Sequence, residues 1–222
     1  MKSVLSISLQ CTNDQVDRLV RLQTEFAQAC NLVSQVARAT KCWNRVALHH
    51  LVYRLLRQQY PNLGSQMACN AIYSVCRACR WAYQHRGSPF RHQESTQGSL
   101  PLLVFLPSAP VYFDRHTLSL TEGELSMYTL DGRIHFKLKV SAKDKFRFES
   151  EKLKEIALAR SGAMFQLIFW FDVASPAIAA SRPSAQDLSP ETLAVGPLST
   201  QPPYLQALTH PPAEGTFSAM GV

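Results

Sequence analysis

The hydrophobic period of this chain changes twice, and no other feature constrains its fold as strongly. Residues 3–10 set Leu5, Ile7 and Leu9 against Val4, Ser6 and Ser8, the two-residue alternation of a strand. Leu19, Leu22, Phe26, Ala29, Cys30, Val33 and Val36 then recur at three- and four-residue steps, the period of a helix buried along one face. Beyond Pro110 the period returns to two. A strand, three helices and a strand-rich remainder predict an α+β chain in which a three-helix bundle is inserted after the first strand of a small oligonucleotide-binding-like β-barrel.

Local signals place the boundaries. Thr12 and Gln15 have the spacing of a capping box for the first helix. A second helix is expected over residues 44–60, with Leu48, Leu51, Val52 and Leu55 facing the core; it stops before Pro61 because the residue ahead of proline avoids helical geometry. Ser65 is placed to cap a third helix reaching about His85. Residues 98–110 read as loop. Short strands are expected at Tyr112-Phe113 and over residues 117–120, 125–129 and 133–140, with Asp131-Gly132 as a tight hairpin turn. Leu153, Ile156 and Ala157 suggest a helix over 149–160, and residues 164–173 a last strand. The expected division is therefore a first barrel strand (1–12), a helical bundle (13–92), the rest of the barrel (93–173) and a tail (174–222).

Charge separates the body from that tail. The 222 residues carry a formal +7, but residues 174–222 hold only Arg182 against Asp187, Glu191 and Glu214, which leaves +9 on the body. Eight of the 13 prolines also fall in the tail, which reads as a disordered or loosely attached extension. Within the body, residues 26–93 contain no Asp or Glu but nine Arg or Lys. Solvated helices normally mix signs, so an acid-free stretch of this length points to a polyanionic partner. The longest apolar run, residues 164–171, is too short to cross a bilayer, and the N-terminal stretch is too short for a secretory signal; the chain is expected to be cytoplasmic, with no membrane partner. The six cysteines fit reduced, mostly buried small hydrophobes. Cys76 and Cys79 form a C-x-x-C pair without the second pair that a zinc site requires, so no metal or other cofactor is expected.

Three helix or strand faces carry candidate contacts. The second helix sets Arg45, His49, Tyr53 and Arg57 at four-residue steps, a basic stripe suited to a sugar-phosphate backbone. On the third, Gln66, Asn70, Tyr73, Arg77, Arg80 and Gln84 oppose an apolar face of Ala68, Ala71, Ile72, Val75, Cys79 and Ala82. Asn and Gln can read an adenine edge, Arg a guanine edge or a phosphate, and Tyr can stack. The strand from Arg133 places Arg133, His135, Lys137 and Lys139 opposite Ile134, Phe136, Leu138 and Val140, one basic side and one core side. For catalysis only Asp172 stands at the end of a strong strand, and one carboxylate does not make a two-metal site; no enzyme activity is expected.

The phrases "RLLRQQYPNLGSQMACNAIYSVCRA" and "VYFDRHTLSLTEGELSMYTLDGRIHFKLKV", in this order behind the first strand, resemble the N-terminal half of the TnpB (OrfB) family of insertion-sequence RNA-guided nucleases. The resemblance spans residues 1–173. It implies a wedge barrel (WED) interrupted by a helical recognition domain (REC), together gripping a guide RNA and a short motif in duplex DNA. Ser65, Gln66, Asn70, Tyr73 and Arg77 would then approach the DNA motif, and Arg133, Lys137 and Lys139 the nucleic-acid backbone. After the last strand the family continues into a RuvC nuclease with its carboxylates and zinc ribbon, where this chain has "FDVASPAIAASRPSAQDLSPE". What the resemblance implies is thus a nuclease-less fragment that binds guide RNA and duplex DNA, with a separately encoded nuclease half as a further partner; the alternative is a truncated, decayed reading frame without activity of its own.

Overall fold

The computed structural model describes residues 2–86, 88, 90–91, 100–121, 123–138, 140–162, 164–172 and 202–208. In chain order the elements are β1 (Lys2–Ser8), α1 (Asn13–Thr40), α2 (Arg45–Gln59), a 3-10 turn (Pro61–Leu63), α3 (Ser65–Gln84), β2 (Leu102–Phe105), β3 (Val111–Phe113), β4 (Leu118–Thr121), β5 (Glu124–Thr129), β6 (Gly132–Lys137), α4 (Ala142–Ser150), β7 (Lys152–Ser161), β8 (Met164–Asp172) and β9 (Leu205–Leu208). The chain is α+β with antiparallel pairing throughout.

The helical segment does interrupt a sheet. β1 pairs with β8, which pairs with β7, which pairs with β3, so the strand before α1 is joined to strands that follow α3. Alternation in β8 sends Phe165, Leu167, Phe169 and Phe171 into the core, all essentially inaccessible, while Trp170 and Ile168 lie on the other face. Each such side chain stabilises by about 2 kcal/mol through burial alone. Phe148 of α4 closes this end of the core, edge-on to Phe169 and Phe171 at 5.1 and 5.2 Å.

The barrel is a correction. Among the described residues the strands form three separate sheets, β1-β8-β7-β3, β4-β5-β6 and β2-β9, and none closes on itself. The physical reason lies in α1, whose polar side chains occupy strand edges that a barrel would pair. Gln15 donates to the His135 carbonyl at 3.2 Å and Arg18 to the Arg133 carbonyl at 3.5 Å, along the outer edge of β6. Further along, Asn31 both donates to the Phe105 carbonyl (3.0 Å) and accepts from its N–H (2.7 Å), while Ser34 donates to the Leu103 carbonyl (2.6 Å).

Several local expectations also change. The segment expected as helix over 149–160 is the end of α4 followed by the ten-residue strand β7, with a bulge between Leu153 and Glu155. Ser65 is the first residue of α3 rather than its cap; Gly64 holds that position at φ 74°, and a side chain there would strike the Tyr128 hydroxyl, 2.9 Å from where its Cβ would lie. In α2 the core stripe is Leu48, Val52 and Leu56, and Leu51 is 53% exposed, because this helix is packed on one side only. The region expected as loop contains β2. Most importantly, the ordered body does not end near Val173. Within the expected tail, Tyr204 packs against the core, Leu205 is buried, and β9 pairs with β2. The capping box at Thr12 and Gln15 forms as the sequence indicates, and so does the β5-β6 hairpin, one residue earlier than expected: Leu130 and Asp131 make the turn and Gly132 (φ 94°) is already paired with Thr129.

Candidate nucleic-acid interface

Asn44 sets the start of α2 by accepting from the Val46 and Ala47 N–H groups at 3.0 and 3.1 Å. From there Arg45, His49, Tyr53 and Arg57 rise along one side of the helix. Arg45 is exposed, with its guanidinium 5.1 Å from the centre of the Tyr73 ring. The His49 and Tyr53 rings stack at 4.6 Å, and Arg57, in the last turn, donates to the Pro61 carbonyl at 3.2 Å. His50 and Arg54 stand exposed beside this stripe. They belong to the same surface although the four-residue reading passed over them; their own four-residue step after exposed Val46 is the signal that marks them. Among the described residues no carboxylate pairs with Arg45, Arg54 or Arg57.

The polar side of α3 is largely turned to the inside, which corrects its reading as an outward face. Asn70 is only 7% exposed and donates to the Tyr112 carbonyl at 3.0 Å, so its amide is committed within the fold. Gln66 donates to the Asp114 carboxylate. Arg77 is ion-paired with Glu155, the two side chains 12% and 15% exposed, and lies over the rings of Tyr112 and Tyr73 at 5.1 and 5.4 Å. Burial pushes the Tyr73 hydroxyl up, with Arg77 opposing, and pushes that of Tyr112 well up, so both remain protonated near neutral pH. Of the third-helix candidates Ser65 is exposed and Arg80 half-exposed. Sequence periodicity missed this because the helix is packed on two sides, against α1 and α2 and against β3 and β7, and polar residues supply the second contact.

On β6, Arg133, His135 and Lys137 are exposed on the side away from Ile134 and Phe136, as alternation requires, while Lys139 lies outside the described residues. The three differ in freedom. Arg133 is stretched across its own sheet, donating to the Ser126 hydroxyl (2.7 Å), the Ser126 carbonyl (2.9 Å) and the His116 carbonyl (3.3 Å). His135 lies 3.3 Å from Glu124. Lys137 is opposite Glu124 in register. This sheet meets the end of α2: the Tyr128 hydroxyl of β5 donates to the Asn62 carbonyl at 2.6 Å, and Arg57 lies near enough to oppose the burial that raises the Tyr128 hydroxyl.

Cys76 and Cys79 are buried; desolvation pushes the Cys76 thiol up to about 11 and that of Cys79 higher still, so both are protonated near neutral pH. Among the described residues no group of three or more His, Cys, Asp or Glu side chains is arranged to hold a metal ion. Asp172 ends β8 with its carboxylate 2.7 Å from Lys154. No helix among the described residues is long and apolar enough to cross a membrane. Compared with protein-family models and with curated proteins, the chain matches none.

Proposed function

We propose that this is a cytoplasmic nucleic-acid-binding protein that holds structured RNA along α2 and the adjoining β6 surface. The observation that carries the reading is the α2 stripe: Arg45, His49, Tyr53 and Arg57, flanked by His50 and Arg54, form a basic and aromatic surface inside an acid-free stretch of sequence. Guanidinium groups at one-turn spacing suit phosphates, and a stacked His-Tyr pair offers an edge against which a base or ribose can pack. A helical insertion between paired strands β1 and β8 also supports kinship with the WED/REC half of TnpB-like proteins, with guide RNA as the natural ligand and duplex DNA as a second one. Direct reading of a DNA motif by Asn70 is not carried forward, because its amide is bonded to Tyr112. In this reading the chain has no nuclease activity of its own, and any cleavage is supplied by a separate partner.

Binding of a structured RNA measured across a salt series tests the reading. Affinity should fall steeply with salt, and Arg45→Ala, Arg54→Ala or Arg57→Ala should each weaken binding and reduce the slope of log affinity against log salt by about 1. Asn70→Ala should leave both unchanged in the folded protein. Affinity insensitive to salt, or unaffected by all three arginine substitutions, would rule out the α2 interface.

A further inference from the structure

β2 is a strand with two differently built edges. In an antiparallel strand successive residues direct their backbone groups to opposite edges. On one edge Leu103 and Phe105 are satisfied by Ser34 and Asn31 of α1, so that side is held by a rigid helix. On the other edge Leu106 donates to the Tyr204 carbonyl at 3.0 Å, and Val104 stands opposite Gln206 in the β2-β9 ladder. Among the described residues, the strand partners on this second side come from residues 202–208. The segment brings side chains as well as a backbone: Leu205 is buried, Gln206 points to solvent, and Tyr204 lies close enough to Tyr112 and Arg77 for each to affect the others' ionisation. Backbone ladder plus a pocket for an anchoring side chain is the way proteins recognise extended peptides by strand addition.

We propose that β2 is a strand-acceptor site, filled in this chain by its own residues 202–208, and that it takes the same segment from a second copy of the chain in reciprocal exchange. The second copy is the occupant because its segment is identical and satisfies the same register, Leu102 opposite Leu208 and Phe105 opposite Leu205. The connection also permits it: 32 residues separate Asp172 from Leu205, which fully extended reach about 100 Å. Contacts within one chain and between two are the same, so the balance depends on the effective concentration of the tethered segment, about a millimolar. Dilute chains fill their own site; chains near that concentration exchange.

The test begins with the full chain carrying a protease site between residues 185 and 186, folded and then cut. The released segment should remain bound at high concentration, and a labelled synthetic peptide of residues 202–208 should replace it. The same peptide with Gln206→Pro, which lacks the N–H facing Val104, should bind at least tenfold more weakly. Sedimentation of the uncut, unaltered chain should show a reversible dimer that grows toward about millimolar concentration; the Gln206→Pro chain should not form it. The acceptor site is refuted if the labelled peptide does not replace the cut segment or if the proline peptide binds equally well. Exchange between copies is refuted if the unaltered chain stays monomeric throughout that range, or if the proline chain dimerises to the same extent. Should that chain fail to fold, the peptide measurements on unaltered β2 still decide the site, and concentration-dependent dimerisation of the unaltered chain decides the exchange.

Discussion

Asn70 and Arg77 show what a polar residue on a helix can be for. Both have side chains that suit base edges or phosphates, yet one satisfies the Tyr112 carbonyl and the other Glu155. Removing a partner inside a packed region leaves the remaining group unsatisfied, and that penalty exceeds the net value of the bond itself. Asn70→Ala should therefore destabilise the fold by about 2 kcal/mol in urea unfolding while leaving RNA affinity intact; an altered affinity without loss of stability would return Asn70 to the binding surface. For the ion pair, Arg77→Met should cost about 3 kcal/mol by removing the guanidinium beside the part-buried Glu155 carboxylate, and the double variant with Glu155→Leu should recover much of that loss. Equal stability of the single and double variants would mean that Glu155 is hydrated rather than dependent on Arg77.

At the scale of elements, α1 takes the place of a strand neighbour. Its residues 15 and 18 reach the edge of β6, and residues 31 and 34 reach the edge of β2, in each case one helical turn apart. Asn31→Ala should leave both the N–H and the carbonyl of Phe105 without their partner and cost about 2 kcal/mol, with faster hydrogen exchange at Phe105 than at Val104. Uniform exchange across β2 would contradict this division of its edges. The three long helices and the β5-β6 hairpin were legible because each announces itself locally, the helices by an apolar period, joined in α1 by a capping box, and the hairpin by a Gly beside its turn. β7 was not, since Leu153, Ile156 and Ala157 fit a helix as well as a bulged strand, and the bulge at Leu153 and Glu155 breaks the alternation that would have separated them. β2 and β9 escaped because prolines flank them, Pro101 and Pro107 around one and Pro202-Pro203 ahead of the other, so that composition assigned the first to a loop and the second to a tail. The α2 stripe was legible as a pattern of residue types; the inward turn of α3 was not, because periodicity reports which face is apolar and not how many faces are covered.

At the scale of the molecule, the C-terminal region has two roles that the sequence had merged into one. An acidic, proline-rich tail reads as dispensable, and for RNA binding along α2 that remains the expectation, since the strand this region contributes pairs with β2. For stability the structure gives the opposite answer. A chain ending after residue 201 loses the burial of Leu205, worth about 2 kcal/mol, and leaves the Val104 edge of β2 without its ladder. It also removes Tyr204 from beside Tyr112 and Arg77, opening the junction of α1, α3 and β3 to water. A chain ending after Leu208 keeps the strand. The first truncation should therefore unfold at a clearly lower urea concentration than the full chain, by about 3 kcal/mol, and the second should not. Both, measured while folded, should bind structured RNA with the affinity and salt slope of the full chain. Equal unfolding midpoints for the two truncations would show that β9 adds nothing to the core, whereas loss of RNA binding in the folded shorter chain would place part of the interface on residues 202–208.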